Sequence, residues 1–172
     1  MGLAVAAGAL LGFGGKARAA GEGISSLHAS YKYVGGAKQQ AAIAKAIDRA
    51  IDGLPPGIYE MAYKRISETQ KPASLIVLDV EGDDIRIERA PAKTIHTSKA
   101  RPKQVVFNQG ERYVWRQTVS GNTVTQHVTG VGSRTRMSYS VNEDGSRLTF
   151  KAHIDADLLP NPVEYQLTYK RE

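Results

Sequence analysis

The sequence predicts a mostly β chain with an N-terminal helix pair, in which an antiparallel up-and-down meander of about eight to ten strands closes into a barrel. Three observations predict it. Apolar residues recur at helical spacing only within about residues 37–69; from Ser74 onward the period falls from 3.6 to 2; and turn residues then return about every ten positions.

Residues 1–15, MGLAVAAGALLGFGG, carry no charged side chain, and Ala17-Arg18-Ala19 places small residues at the two positions a signal peptidase reads. The expectation is a signal peptide over residues 1–19, cleavage before Ala20, and one domain over residues 20–172 in the periplasm or outside the cell. The usual positive n-region is absent, and Lys16 and Arg18 follow the apolar run instead. The run is short for a membrane span, and as a buried helix its glycines would cost about 1 kcal/mol each. Gly12, Gly14, Gly15 and Lys16 do not form a phosphate loop, because the spacing is wrong and Ala17 stands where a hydroxyl is needed.

Ala29 to Val34, ASYKYV, forms a short expected strand ended by Gly35-Gly36. Ile43, Ala46, Ile47, Ala50, Ile51 and Leu54 then mark one stripe of an amphipathic helix whose opposite face carries Lys45, Asp48, Arg49 and Asp52. Gly53 and Pro55-Pro56 stop it, and Ile58, Met61, Ala62 and Ile66 describe a second helix ending before Lys71-Pro72. LIVLDVE and IRIER flank Gly82-Asp83-Asp84 as a hairpin, followed by weaker strands near Thr94 to Thr97 and Gln104 to Phe107. Strands are expected over Arg112 to Val119, Thr123 to Thr129, Arg134 to Val141, Arg147 to Asp155 and Val163 to Lys170. In the last three, Met137, Tyr139, Val141, Leu148, Phe150, Ala152, Ile154, Val163, Tyr165, Leu167 and Tyr169 share one face. Arg134, Arg136, Arg147, Lys151, His153, Glu164 and Lys170 occupy the other. A sheet with one dry face must cover it, and curling into a barrel does so.

Composition narrows the function. A chain of 172 residues fits one domain, and 41% apolar with 23% charged residues is ordinary globular usage. The absence of cysteine excludes disulfides, thiol catalysis and Cys-ligated zinc. Removing residues 1–19 leaves 21 basic and 17 acidic residues, a net charge of +4. That surplus favours weak contact with an anionic envelope surface but is not the footprint of a nucleic-acid binder.

No nucleophile with a neighbouring base, metal motif, cofactor motif or catalytic carboxylate pair is evident, so neither enzymatic activity nor a cofactor is expected. His153, Asp155 and Asp157 at i, i+2 and i+4 would share one outer strand face, as a cation site or as a solvated polar row; no metal is assigned. His28, His96 and His127 are isolated. Arg112, Arg116, Arg134, Arg136, Arg147 and Lys151 project outward, whereas Tyr113, Trp115, Tyr139 and Tyr165 have the opposite parity. A stacking platform for bases is therefore missing, and no nucleic-acid partner is expected.

One strand, two helices, then a long meander ending in a DG turn and a Tyr-rich strand resembles the calycin-like barrels, above all the fatty-acid-binding proteins, whose helix pair caps the barrel mouth. The resemblance spans nearly all of residues 20–172 and is one of element order. ASYKYV lacks the Gly-x-Trp of lipocalins. Where fatty-acid-binding proteins place an inward Arg two residues before an inward Tyr on the last strand, this chain has Val163 before Tyr165 and Leu167 before Tyr169. The segments DGSRLTF and LLPNPVEYQLTYKR look like those of exported bacterial proteins of no assigned function.

The expected partner is an apolar small molecule held among Trp115, Met137, Tyr139, Phe150, Tyr165 and Tyr169, with Ile47 on the covering helix. The alternative is a filled barrel, its aromatics packed on one another, acting as a structural domain or through contacts with a protein or envelope component. Protein recovered from the envelope or medium should begin at Ala20 by N-terminal sequencing; a chain beginning at Met1 overturns the compartment.

Overall fold

The computed structural model describes residues 27–91, 95–98, 101–106 and 112–172. The expected leader with its cleavage site at Ala19-Ala20, and the strand ends Thr94 and Phe107, lie outside these residues.

Ten strands and two helices follow one another as β1 (Ala29–Tyr33), α1 (Gly36–Ile51), α2 (Pro56–Thr69), β2 (Leu75–Glu81), β3 (Asp84–Ala90), β4 (Ile95–Ser98), β5 (Lys103–Val106), β6 (Arg112–Ser120), β7 (Thr123–Gly130), β8 (Ser133–Val141), β9 (Arg147–Ala156) and β10 (Val163–Arg171). They form one sheet in the order β4-β3-β2-β1-β10-β9-β8-β7-β6-β5, with antiparallel neighbours. Every neighbour is consecutive in sequence except β1 and β10, whose pairing curls the meander into a nearly closed barrel. The sheet stops at β4 and β5, where β4 lies against β6 and the Thr97 hydroxyl donates to Gln117 Oε1 across the break.

Two-residue turns set the registers. Gly82, Gly121 and Gly132 take positive φ of 55°, 53° and 64° within loops that pair Glu81 with Asp84, Ser120 with Thr123 and Gly130 with Ser133. Side chains with a Cβ rarely adopt that conformation, so these positions select glycine. Between turns, alternate residues are buried: Ile76, Leu78 and Val80 on β2, Ile85 and Ile87 on β3, Leu148, Phe150 and Ala152 on β9. They form the barrel core with Tyr31, Tyr139, Leu167 and Tyr169.

The two helices are held differently. Helix α1 buries Ile43, Ala46, Ile47, Ala50 and Ile51 and packs on β10. Gln39 clamps its start, accepting from the Thr168 amide at 2.9 Å and donating to Thr168 Oγ1 at 2.9 Å. Asn161 closes its end, donating to the carbonyls of Arg49 and Ala50 at 3.1 and 3.2 Å, which are acceptors that a helix C-terminus otherwise leaves unpaired. Helix α2 starts at Pro56, whose fixed φ suits a first turn, and has no fully buried residue. Its expected stripe lines a cleft, with Ala62 and Ile66 partly buried against the core and Ile58 and Met61 exposed.

Phe150 is 1% exposed and Lys151 is exposed, one residue apart on β9. Phe150→Asp should therefore unfold the domain, because an unpaired buried carboxylate costs several kcal/mol, whereas Lys151→Asp should cost about 0.5 kcal/mol or less. Equal melting temperatures for the two variants would refute the inner-face assignment.

Candidate binding site in the barrel interior

The alternation that fills the barrel also carries polar residues into it. Arg89 follows Ile85 and Ile87 at the same parity on β3; Gln117 lies between Trp115 and Val119 on β6; Gln126 lies between Val124 and Val128 on β7. Register then sets Gln117 opposite Gln126, Gln126 opposite Met137, Tyr139 opposite Phe150, and Leu148 opposite Tyr169.

Arg89 reaches across the interior from β3 to β8 and β9. Its guanidinium carbon sits 4.9 Å from the centre of the Phe150 ring, and Nη1 lies 3.4 Å from Met137 Sδ. The ring and sulfur stabilise a cation only modestly, and among the described residues no carboxylate pairs with it. The tyrosines around it are held neutral. Burial pushes the Tyr139 hydroxyl up to about 12, against the opposing pull of the Arg89 charge. Burial likewise raises Tyr165 and Tyr169 against the same charge.

The interior bonds leave donors over. Tyr139 donates to Gln126 Oε1 at 2.8 Å, and Thr97 donates to Gln117 Oε1, so both amide oxygens are used. Arg89 Nε, Trp115 Nε1, Gln117 Nε2, Gln126 Nε2 and the Tyr169 hydroxyl are buried with no hydrogen-bond partner among the described residues. All five can donate, and each orphan costs about 1–3 kcal/mol. A wall set with donors beside one cation is suited to a guest that brings acceptors.

An apolar cleft of about 360 Å³ lies between α2 and the end of the barrel where β9 turns into β10. Leu54, Ile58, Met61, Ala62 and Ile66 form one side, and Ile154, Ala156, Leu158, Leu159 and Val163 the other. Met61 and Leu158 are 67% and 88% exposed at its rim. Gln70, at the C-terminal end of α2, lines the cleft and accepts from the Tyr165 hydroxyl at 3.0 Å, so the cleft meets the interior at that contact.

The structure places the sequence-predicted binding residues as follows. Tyr139, Phe150 and Tyr169 are buried to within 1%, Met137 and Tyr165 are nearly so, and Trp115 is half-buried against the core. Rings of Tyr139 and Phe150 are 5.2 Å apart and those of Phe150 and Tyr165 6.1 Å apart, a continuous tilted chain. Ile47, on the buried face of α1, belongs to the same buried core cluster. The row His153, Asp155 and Asp157 does not form. β9 ends at Ala156, so Asp157 falls in the turn, with its amide on the Gly132 carbonyl, while His153 bonds Glu164 at 2.6 Å and Asp155 accepts from Arg134 at 3.0 Å. Arg89, Gln117 and Gln126 escaped the sequence reading, although their shared parity with apolar neighbours was a visible signal.

No family model matches the chain, and no curated protein matches it by sequence. Solved structures do. Lipid binding protein 8 of Caenorhabditis elegans, in its apo form, is 10% identical with a TM-score of 0.53 over 87% of this chain and 97% of its own. A fatty acid binding protein of Schistosoma mansoni, in complex with arachidonic acid, is 16% identical with a TM-score of 0.50 over 87% and 98%. An abundant heat soluble protein of Ramazzottius varieornatus is 14% identical with a TM-score of 0.53 over 86% and 96%. The fold is thus a calycin-like barrel of the fatty-acid-binding-protein type.

A hydroxyl whose pKa rises on folding keeps its proton where the unfolded chain loses it. Its contribution is complete below the ordinary value of 10 and is lost as pH climbs towards about 12. Tyrosinate absorbance followed with circular dichroism should show Tyr139 ionising only as the barrel unfolds; its ionisation near pH 10 in folded protein, identified by loss of that signal in Tyr139→Phe, would contradict the burial described.

Proposed function

We propose that this chain is an exported carrier, holding in its barrel an amphipathic molecule whose apolar body lies against Phe150, Tyr165 and Met137 and whose anionic, acceptor-rich head faces Arg89. The observation that carries this reading is the set of buried donors without acceptors, Arg89 Nε, Trp115 Nε1, Gln117 Nε2, Gln126 Nε2 and Tyr169 OH. An anionic head would neutralise the guanidinium where water is scarce and charge-assisted hydrogen bonds are strongest. Shared fold with a lipid binding protein and a fatty acid binding protein supports a ligand in the interior. Export is supported by the uncharged run of residues 1–15 and by Ala17-Arg18-Ala19.

The cleft under α2 supplies the way in. Its walls are apolar, its helix is the less buried of the two, and Gln70 and Tyr165 link it to the interior. A lid of this kind governs rates more than affinities.

Fluorescence titration with an anionic apolar dye, anilinonaphthalene sulfonate, and a neutral one, Nile red, tests the reading. The unmodified protein should bind both saturably. Arg89→Met should weaken the anionic dye about tenfold or more while moving the neutral dye less than about threefold. Its melting temperature should hold or rise, since replacing a half-buried charge that lacks a carboxylate partner with an apolar side chain of similar length is commonly neutral or stabilising. Ala62→Trp, which fills the cleft, should slow dye association several-fold with a smaller change in equilibrium affinity. If neither dye binds, the barrel is filled, the chain of rings Tyr139, Phe150 and Tyr165 is simply its core, and the carrier reading is abandoned for contacts made by the exterior.

A further inference from the structure

The outer face of β6 to β10 carries a row that the carrier reading does not use. Register aligns Arg116 with His127, His127 with Arg136, Arg136 with His153, and His153 with Glu164, one residue from each of five adjacent strands. At the usual strand spacing the row is about 19 Å long. The next row along the strands, Thr118, Thr125, Ser138, Lys151 and Gln166, is aligned in the same way and supplies hydroxyls, an amide and one more cation.

This arrangement is costly as it stands. Like charges gathered on one sheet face repel, and here Arg116 and Arg136 stand two strands apart on either side of His127. The acidic residues nearby are engaged at one end: Glu164 bonds His153 at 2.6 Å, and Asp155 pairs with Arg134 at 3.0 Å. Among the described residues Arg116, Arg136 and Lys151 have no carboxylate partner, and all three are exposed. The exterior of a barrel is ordinarily convex, yet every residue of these rows but Arg116 lines a trough of about 660 Å³, and Arg116 continues the first row past His127.

We infer that this trough is a binding site for an anionic polysaccharide, whose sulfate, phosphate or carboxylate groups would meet Arg136 and Lys151 within it and Arg116 beside it, while its hydroxyls meet Thr118, Thr125, Ser138 and Gln166. Charge complementarity selects an anion, and the length of the row suits a polymer better than a single small ion. The concavity does not fit a flat bilayer. The aromatic side chains of these strands have inner-face parity, and Tyr165, the one of them that borders the trough, is buried, so bases would find no stacking platform outside.

The test is binding of the full chain to heparin at fixed ionic strength, with neutral dextran, single-stranded oligonucleotide, inorganic sulfate and anionic phospholipid vesicles as parallel arms. The double variant Arg116→Gln/Arg136→Gln should lose affinity for heparin about tenfold or more. The double variant Lys32→Gln/Lys170→Gln removes the same charge from another outer position, where the two lysines face each other across β1 and β10, and should change affinity less than about twofold. Both substitute exposed residues, and circular dichroism should report both folded. Equal losses in the two variants would mean that net charge alone attracts heparin, and the site falls. It falls also if the unmodified chain does not bind heparin, or if sulfate alone, vesicles or the oligonucleotide bind the trough as tightly.

Discussion

The pairing of β1 with β10 is the contact on which the barrel depends. β1 has only five residues, yet it bonds β2 on one side and β10 on the other, with Tyr31 opposite Ile76 and Arg171, and Tyr33 opposite Tyr169. Without it the sheet separates into β2–β4 and β5–β10, each with an uncovered apolar face. The pairing joins the two ends of the described chain, so its loop-closure entropy is offset only when the full inner face is buried at once. Tyr31 and Tyr169, both fully buried, stand at this seam. The same seam orients α1, because the chain leaves β1 through Gly35 and Gly36 with the Val34 amide bonded to the Thr168 carbonyl at 3.1 Å. A side chain at Gly35 would collide first with the Gln39 amide and then with the Tyr33 ring, and Gly36 has φ of 57°, so this exit favours glycine at both positions.

The structure is correspondingly uneven. At the β1 seam a backbone ladder closes the barrel; at the far side closure falls to short edge strands and a side-chain bond from Thr97 to Gln117. Helix α1 is fastened by five buried residues and by Gln39 and Asn161 at its two ends. Helix α2 rests over an apolar cleft with contacts such as Tyr59 to Asp48 at 2.8 Å and Tyr165 to Gln70. Elements with few buried apolar contacts open at the lowest free energy, which makes α2 rather than α1 the helix expected to open first.

Strands β6 to β10 carry two different sets of polar side chains on opposite faces. Inward, Gln117, Gln126, Tyr139 and Tyr169 bring hydrogen-bonding groups into an apolar wall, at a cost in stability where donors are left without acceptors. Outward, Arg116, His127, Arg136 and His153 gather positive or chargeable groups at the closest distance the sheet allows. Each departs from what stability alone would choose. Both departures are built by period-two alternation, which keeps the two sets of side chains on opposite sides of one sheet.

Much of this was legible in the residues themselves. The change of period at Ser74, the Gly-bearing turns, the stripe of α1 and the inner faces of the last three strands are local patterns, and the elements lie where those patterns set them. Other features needed the folded chain. The stripes of α1 and α2 have similar spacing, but α1 meets β10 and α2 meets a cleft. His153, Asp155 and Asp157 alternate correctly, but the strand ends before the third. Arg89 shares the parity of Ile85 and Ile87, yet a charged residue near a strand end is usually solvated, and only closure of the barrel carries it to Phe150 and Met137. Alternation depends on i and i+2, and the sequence determines it alone; which side chain stands opposite another depends on register and on the β1 to β10 closure, contacts between distant residues that only the tertiary structure decides.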